Sequence, residues 1–286
     1  MESEQNLFEK SDPRPGAIAH EVAGLRWLAN AQRGARVVRL YGVQQTDSGA
    51  QLTEERVLPF HYNIYQAAAF GEALARTHLA GAPWMYCPPQ VGVPELGYEG
   101  DAYDGPGYIG GAPLQFAPKP VDPVPTGGDQ RDRNWARQFA LLRIRPYIEP
   151  SLRSGALTRQ QAQVIERLCA RLESGELVSA LPSRLRHPAA RIHGDLWCGN
   201  VIWTPQGVLI DPAAQGGHPL DDLAALALFG QDNLESIFDG YTEICPLDDD
   251  FRQRLPLHQM HLLMVHVQLF GGSYSSQAVR HAELYI

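Results

Sequence analysis

RIHGDLWCGNVIW, residues 191–203, sets His193, Asp195 and Asn200 within eight positions, between two short runs of apolar and β-branched residues. A carboxylate and an amide five residues apart on so short a loop can be aimed into one cleft. Either fragment alone is weak, since a His-Gly-Asp triplet occurs by chance and an Asp after an apolar run is often only a helix cap. The meaning of the loop therefore depends on the next segment of the chain.

That segment contains VLID, residues 208–211. Val208, Leu209 and Ile210 predict a buried strand ending at a second acid, Asp211, eleven residues after Asn200, with Gln206-Gly207 as the turn between VIWT and VLID. Transfer of a phosphoryl group from ATP needs a carboxylate to orient an acceptor hydroxyl and take its proton, and oxygen ligands to hold Mg²⁺ on the phosphates. His193, Asp195 and Asn200 have the spacing of the kinase catalytic loop H-R-D-x-x-x-x-N, and Asp211 stands where a second metal-binding acid is wanted. Mg²⁺ keeps waters and phosphates as partners, so two protein oxygens suffice. The joint pattern predicts Asp195 as catalytic base and Asn200 and Asp211 as metal ligands.

The rest of the chain is compatible with such an enzyme. Its 286 residues can form one large domain or two lobes, and 44% hydrophobic with 20% charged residues is an ordinary globular composition. A net charge of −8 and the lack of any Lys/Arg-rich run argue against nucleic acid as a partner. No apolar run is long enough to span a membrane and MESEQNLFEK has no signal-peptide core, so a cytoplasmic location is expected, without membrane association. Cys87, Cys169, Cys198 and Cys245 form no CxxC pair and read as free thiols.

Apolar periodicity predicts a helix over 13–31, a hairpin from 35–43 and 51–60 around TDSG, and a helix over 63–81 ended by Gly81. Residues 81–130 are crowded with glycine and proline and predict an irregular loop, which could cover a substrate or be a surface loop pinned by its aromatics. Helical patterns resume over 134–148, 158–175, 220–230 and 254–272.

HGDLWCGNVIW, LIDPAAQGGHPLDDLAALALFG and LHQMHLLMVHVQLFGGSY together resemble the fructosamine (ketosamine) kinase family, relatives of the aminoglycoside and choline phosphotransferases. The resemblance runs from about residue 7 to 280 and is most specific around Trp197. It implies an α+β, two-lobed, protein-kinase-like fold, with a small N-lobe over 1–60 and a mainly helical C-lobe over 61–286. It implies ATP and Mg²⁺ as cofactors and, as partner, a small-molecule substrate whose sugar hydroxyl is phosphorylated. FEKSD resembles the family's lysine strand, so Lys10 would contact the phosphates and Glu21 would pair with it. EERVLPF would be the hinge, with the backbone of Glu55 and Val57 facing adenine.

Three departures qualify the resemblance. Only nine residues precede Lys10 and none is glycine, so the usual first two strands and Gly-rich loop are not expected. Cys198 replaces a usual serine, and Pro219-Leu220 replace a usual Arg-Glu pair, which bears on the acceptor more than on the reaction. Aminoglycoside-like or choline-like acceptors, and a non-catalytic binding protein, are the alternatives. Among supporting residues, Asp222 is expected to cap a helix and anchor the catalytic loop, and His193 to brace it. Trp197 would stack on a sugar or fill the space behind the loop. His266 matches a family histidine and would line the cleft. His258, His261 and His266 lack the spacing of a helical zinc motif and read as core or cleft residues.

Overall fold

The computed structural model describes residues 7–286. In order they form β1 (Leu7–Asp12), α1 (Ala17–Ala29), β2 (Arg36–Val37), β3 (Leu40–Thr46) and β4 (Gly49–Glu55). Strands β1, β4 and β3 make one antiparallel sheet in that order, with Lys10 opposite Leu52. Helix α1 covers one face of this sheet, and Ile18, Val22 and Leu52 are buried between them. The stretch 35–43 does not form the single strand its composition predicts. Val38 is buried with Leu25 and Val208 and donates its N–H to the Leu209 carbonyl at 3.0 Å. That draws β2 out of the hairpin and into parallel pairing with a later strand.

Helix α2 (Ile64–Leu79) starts at a capping box of Asn63 and Gln66, worth on the order of 1 kcal/mol. It ends before Gly81, whose φ of 76° is left-handed and where a Cβ would lie 2.1 Å from the His187 ring. The loop after it is largely irregular as expected, but it holds a 3₁₀ turn at Pro94–Leu96 and a hairpin, β5 (Gly107–Ile109) and β6 (Ala112–Leu114), which turns at Gly110-Gly111.

The helix predicted over 134–148 is not continuous. Helix α3 (Asp129–Phe139) loosens through π and 3₁₀ turns over 140–147 before α4 (Ile148–Arg153), because Pro146 cannot donate to the helical ladder. Helix α5 (Arg159–Ser174) has a second capping box, Thr158 with Gln161, and stops at Gly175, φ 77°.

Strand β7 (Ala190–Ile192) leads into the catalytic-type loop, with β8 (Val201–Trp203), β9 (Gly207–Leu209) and β10 (Gln215–Gly217) after it. β8 and β9 form the predicted hairpin, but Thr204–Gln206 make the turn and Gly207 pairs with Trp203. The Thr204 hydroxyl, which donates to the Gln206 carbonyl and accepts the Gln206 N–H at 3.0 Å, fixes that shorter register. Helices α6 (Pro219–Leu228), α7 (Leu234–Ile244), α8 (Phe251–His258), α9 (Met260–Phe270) and α10 (Ser273–Glu283) complete the large lobe. The helix predicted over 254–272 is interrupted at Gln259, whose backbone stays helical while its buried amide donates to the Ala224 carbonyl at 3.1 Å. Helices α7 and α2 pack at backbone contact: a Cβ at Gly71 would lie 2.0 Å from the Ile237 carbonyl, and one at Gly240 1.9 Å from that of Ala68. Among the described residues no helix is long and apolar enough to cross a membrane, and all four cysteines are unpaired.

Candidate active site

β7 and β8 deliver the two ends of the 193–200 loop, and its shape depends on a glycine. Gly194 has φ 82°, and a Cβ there would fall 2.2 Å from the Ala213 carbonyl. Beneath the loop lies Asp222 of α6, fully buried. Its carboxylate accepts the backbone N–H of His193 at 2.7 Å and of Gly194 at 2.9 Å, and the Nε2–H of His78 at 3.0 Å. The other nitrogen of His78 accepts the Tyr241 hydroxyl at 2.8 Å. Burial opposes the charge on Asp222, yet these donors and the histidines around it hold its pKa below the ordinary carboxylate value. Asp222 is thus a loop anchor but not the helix cap it was expected to be: the cap is His218, whose Nδ1 accepts the Leu220 N–H.

His193 is equally constrained. Its Nε2–H donates to the Ile210 carbonyl at 2.9 Å and its Nδ1 accepts the Asp195 N–H at 3.3 Å, which fixes the neutral tautomer. Burial lowers its pKa, so it braces the loop and carries no mobile proton near neutrality.

Above this brace the reactive groups converge on a cavity of about 410 Å³ lined by Lys10, Glu21, Asp195, Asn200 and Asp211. The Asn200 amide donates to the Asp195 carbonyl oxygen at 2.8 Å and to Asp195 Oδ2 at 3.2 Å. Lys10 Nζ stands between Glu21 Oε2 at 2.8 Å and Asp211 Oδ1 at 2.9 Å. Burial alone would lower the Lys10 pKa, but the two carboxylates outweigh it and raise it. Burial at the cleft floor, reinforced by Asp211 and Asp222 against the Asn200 bond, pushes Asp195 up to about 7. Burial likewise pushes Glu21 up to about 7 despite Lys10. Asp211 has φ 52°, left-handed backbone that Asp tolerates better than most residues. Among the described residues neither Asn200 Oδ1 nor Asp211 Oδ2 receives a hydrogen bond, so both oxygens fit a small, hard cation.

The remaining expected residues divide. Trp197 is 38% exposed at the cavity rim, its edge against Phe229 at 6.0 Å, so it does not fill space behind the loop. His266 lines the same cavity, donates Nδ1–H to the Leu262 carbonyl at 2.8 Å and packs against Phe229, Phe270 and Tyr274. His258 and His261 are buried away from it, and no cluster of three or more metal-binding side chains occurs among the described residues. Glu55 and Val57 lie outside this cavity, beside another of about 670 Å³. The Glu55 carboxylate accepts from Arg36 at 2.6 Å, and its main-chain N–H donates to the Arg39 carbonyl at 2.8 Å.

Sequence reasoning missed three groups that line the cavity. His20 of α1 is buried, with burial pushing its pKa down to about 4; it accepts the Tyr108 N–H and donates to the Ala214 carbonyl. Arg14 and the Gly110-Gly111 hairpin tip line the same cavity. Two apolar triplets, GYI and APL, on either side of a Gly-Gly pair were a legible hairpin signal for the last of these.

Comparison with known proteins gives a consistent result. The family profile described as fructosamine kinase matches residues 127–286. A probable ketoamine kinase of Enterococcus faecium is 43% identical over 88 residues, which are 30% of this chain and 31% of that protein. One of Escherichia coli K12 is 34% identical over 143 residues, 50% of this chain and 46% of that protein. The matched segments thus span less than half the length of these curated relatives. The crystal structure of a candidate fructosamine-3-kinase from Thermobifida fusca superposes with a TM-score of 0.75 at 35% identity, covering 97% of this chain and 84% of that one. An aminoglycoside phosphotransferase solved with ADP shares the fold, at a TM-score of 0.54 and 13% identity over 99% of this chain and 89% of that one.

Proposed function

Because this chain belongs to the fructosamine kinase family, we propose that it is an ATP- and Mg²⁺-dependent kinase that phosphorylates a sugar hydroxyl of a ketosamine, the product of glycating an amine. Residues 7–60 act as the nucleotide lobe and 61–286 as the catalytic lobe. The observation that carries this reading is the linked set Lys10, Asp211, Asn200 and Asp195, brought within hydrogen-bonding reach of one another from three separate parts of the chain.

Asp195 orients the acceptor hydroxyl and takes its proton. The freed oxygen forms a bond to the γ-phosphorus as the bond from that phosphorus to the β-phosphate oxygen breaks and ADP leaves. The Asn200 bond keeps Asp195 aimed and lowers its proton affinity, against the burial that raises it. Lys10, positioned by Glu21, binds the phosphates, and the main chain of Glu55–Val57 holds the adenine edge. Asn200 Oδ1 and Asp211 Oδ2 would hold Mg²⁺, which when bound neutralises charge on the phosphates.

The test is ATP consumption by the purified protein with Mg²⁺ and fructosyl-lysine, with Asp195→Asn alongside. Turnover should fall by about 10²- to 10⁴-fold in the variant, the usual contribution of a positioned base. Full turnover by the variant would remove Asp195 from the reaction.

A further inference from the structure

The cavity that holds Asp195 is lined by a second cation besides Lys10. Of the two cationic side chains lining the 410 Å³ cavity, Lys10 is held between Glu21 and Asp211, whereas Arg14 stands on the loop between β1 and α1. His20 and His266 add no charge near neutrality, because burial lowers the pKa of both.

Arg14 is fixed from several sides. Its Nε donates to Asp12 Oδ1 at 3.0 Å and Nη2 to Asp12 Oδ2 at 2.6 Å, while Nη1 donates to the Gly110 carbonyl at 2.9 Å. The guanidinium also lies over the Tyr108 ring, 4.7 Å from its centroid. Each terminal nitrogen carries two N–H groups and uses one, so each keeps one without an acceptor among the described residues. Such a guanidinium matches a carboxylate, and because it is already immobilised, little side-chain entropy is lost on binding.

Its neighbours place it on the acceptor side. Tyr103 and Tyr108 tie the hairpin segment to the start of α1 through the carbonyls of Gly16 and Pro15. A Cβ on Gly111 would lie 3.3 Å from Leu269 of α9, so the hairpin tip spans from Arg14 to the helix that carries His266. Arg14 and the hairpin tip line the same cavity as Asp195 and Trp197, whereas Glu55 and Val57 line a different one.

We infer that Arg14 binds an anionic group of the acceptor, a carboxylate near its glycated nitrogen, so that the preferred substrates are glycated amino acids rather than neutral glycated amines. Asp12 is the positioning residue that sets the guanidinium. The inference rests on the ketosamine kinase reading.

The experiment compares fructosyl-glycine with fructosyl-glycinamide, which differ in that one charge, in the protein and in Arg14→Gln and Arg14→Lys. A charge-assisted pair predicts that the unsubstituted protein favours the carboxylate acceptor about 10- to 100-fold in kcat/KM. Arg14→Gln should bring that ratio near one, and Arg14→Lys should leave it between. Equal kcat/KM for both acceptors in the unsubstituted protein would overturn the inference, and this arm needs no variant to fold. A loss in Arg14→Gln that is equal for both acceptors and accompanied by a raised KM for ATP would overturn it in favour of a phosphate contact. Turnover of neither acceptor by the unsubstituted protein would overturn the ketosamine reading itself, and this inference with it.

Discussion

Asp211 and Asp222 are eleven residues apart, and the structure uses them in opposite ways. Asp222 sits buried beneath the 193–200 loop with its two oxygens taken by three N–H donors, two from the loop backbone and one from His78. Asp211 sits in the cleft on left-handed backbone, gives one oxygen to Lys10 and leaves the other without a donor among the described residues. A buried carboxylate whose two oxygens both accept from the protein is part of the scaffold. One left partly unfilled can take a ligand. Glu21 and Glu54 belong with Asp211, since Glu21 Oε1 and Glu54 Oε2 are buried without a partner.

This contrast yields three further predictions. Asp222→Ala, which strips three donors of their acceptor in the interior, should destabilise the fold by about 3–5 kcal/mol, read as a lowered urea midpoint. A loss below about 1 kcal/mol would mean the brace is not structural. Asp211→Asn should leave the urea midpoint nearly unmoved but lower turnover on the order of 100-fold, with higher Mg²⁺ needed for half-maximal rate. A large stability loss with turnover intact would exchange the two roles.

The smallest effect concerns Glu54, which burial, with Glu21 and Asp211 nearby, pushes up to about 7. A carboxyl whose pKa is higher folded than unfolded binds more protons in the folded state, so it costs stability progressively as pH rises from about 4.5 to 7. Glu54→Gln should therefore be more stable than the unsubstituted protein by about 2 kcal/mol at pH 8, allowing for screening through the cleft, and equal to it near pH 4. Urea titrations at the two pH values check this, and a gap that does not change with pH would show that the Glu54 pKa is the same in the folded and unfolded chain.

Legibility in the sequence differed by element. Helices with capping boxes and glycine stops, α2 and α5, lay close to where periodicity put them, because their ends are specified locally. β2 and the broken helix after Phe139 did not. Val38 gained burial with Leu25 and Val208 that its own hairpin could not offer, and Pro146 interrupts a run whose apolar pattern continues through it. Helices α7 and α10 lie outside the predicted segments: α7 buries Ile237, Phe238 and Tyr241 at a helical spacing that was legible in the sequence, whereas α10, SYSSQAVRHAE, presents only small buried groups, Ser275, Ala278 and Ala282.

The sequence by itself picked out the proposed reacting groups, because loop length fixes how far apart His193, Asp195 and Asn200 can be and a short strand must return Asp211 beside them. It also marked Lys10 and Glu21 through their resemblance to a known pattern. Only the tertiary structure decided what surrounds them. That Asp222 reaches under the loop to His78, and that Arg14 meets a hairpin tip 96 residues further on, are contacts between distant segments. Their geometry comes from packing whole helices and strands together, and no local spacing rule encodes it.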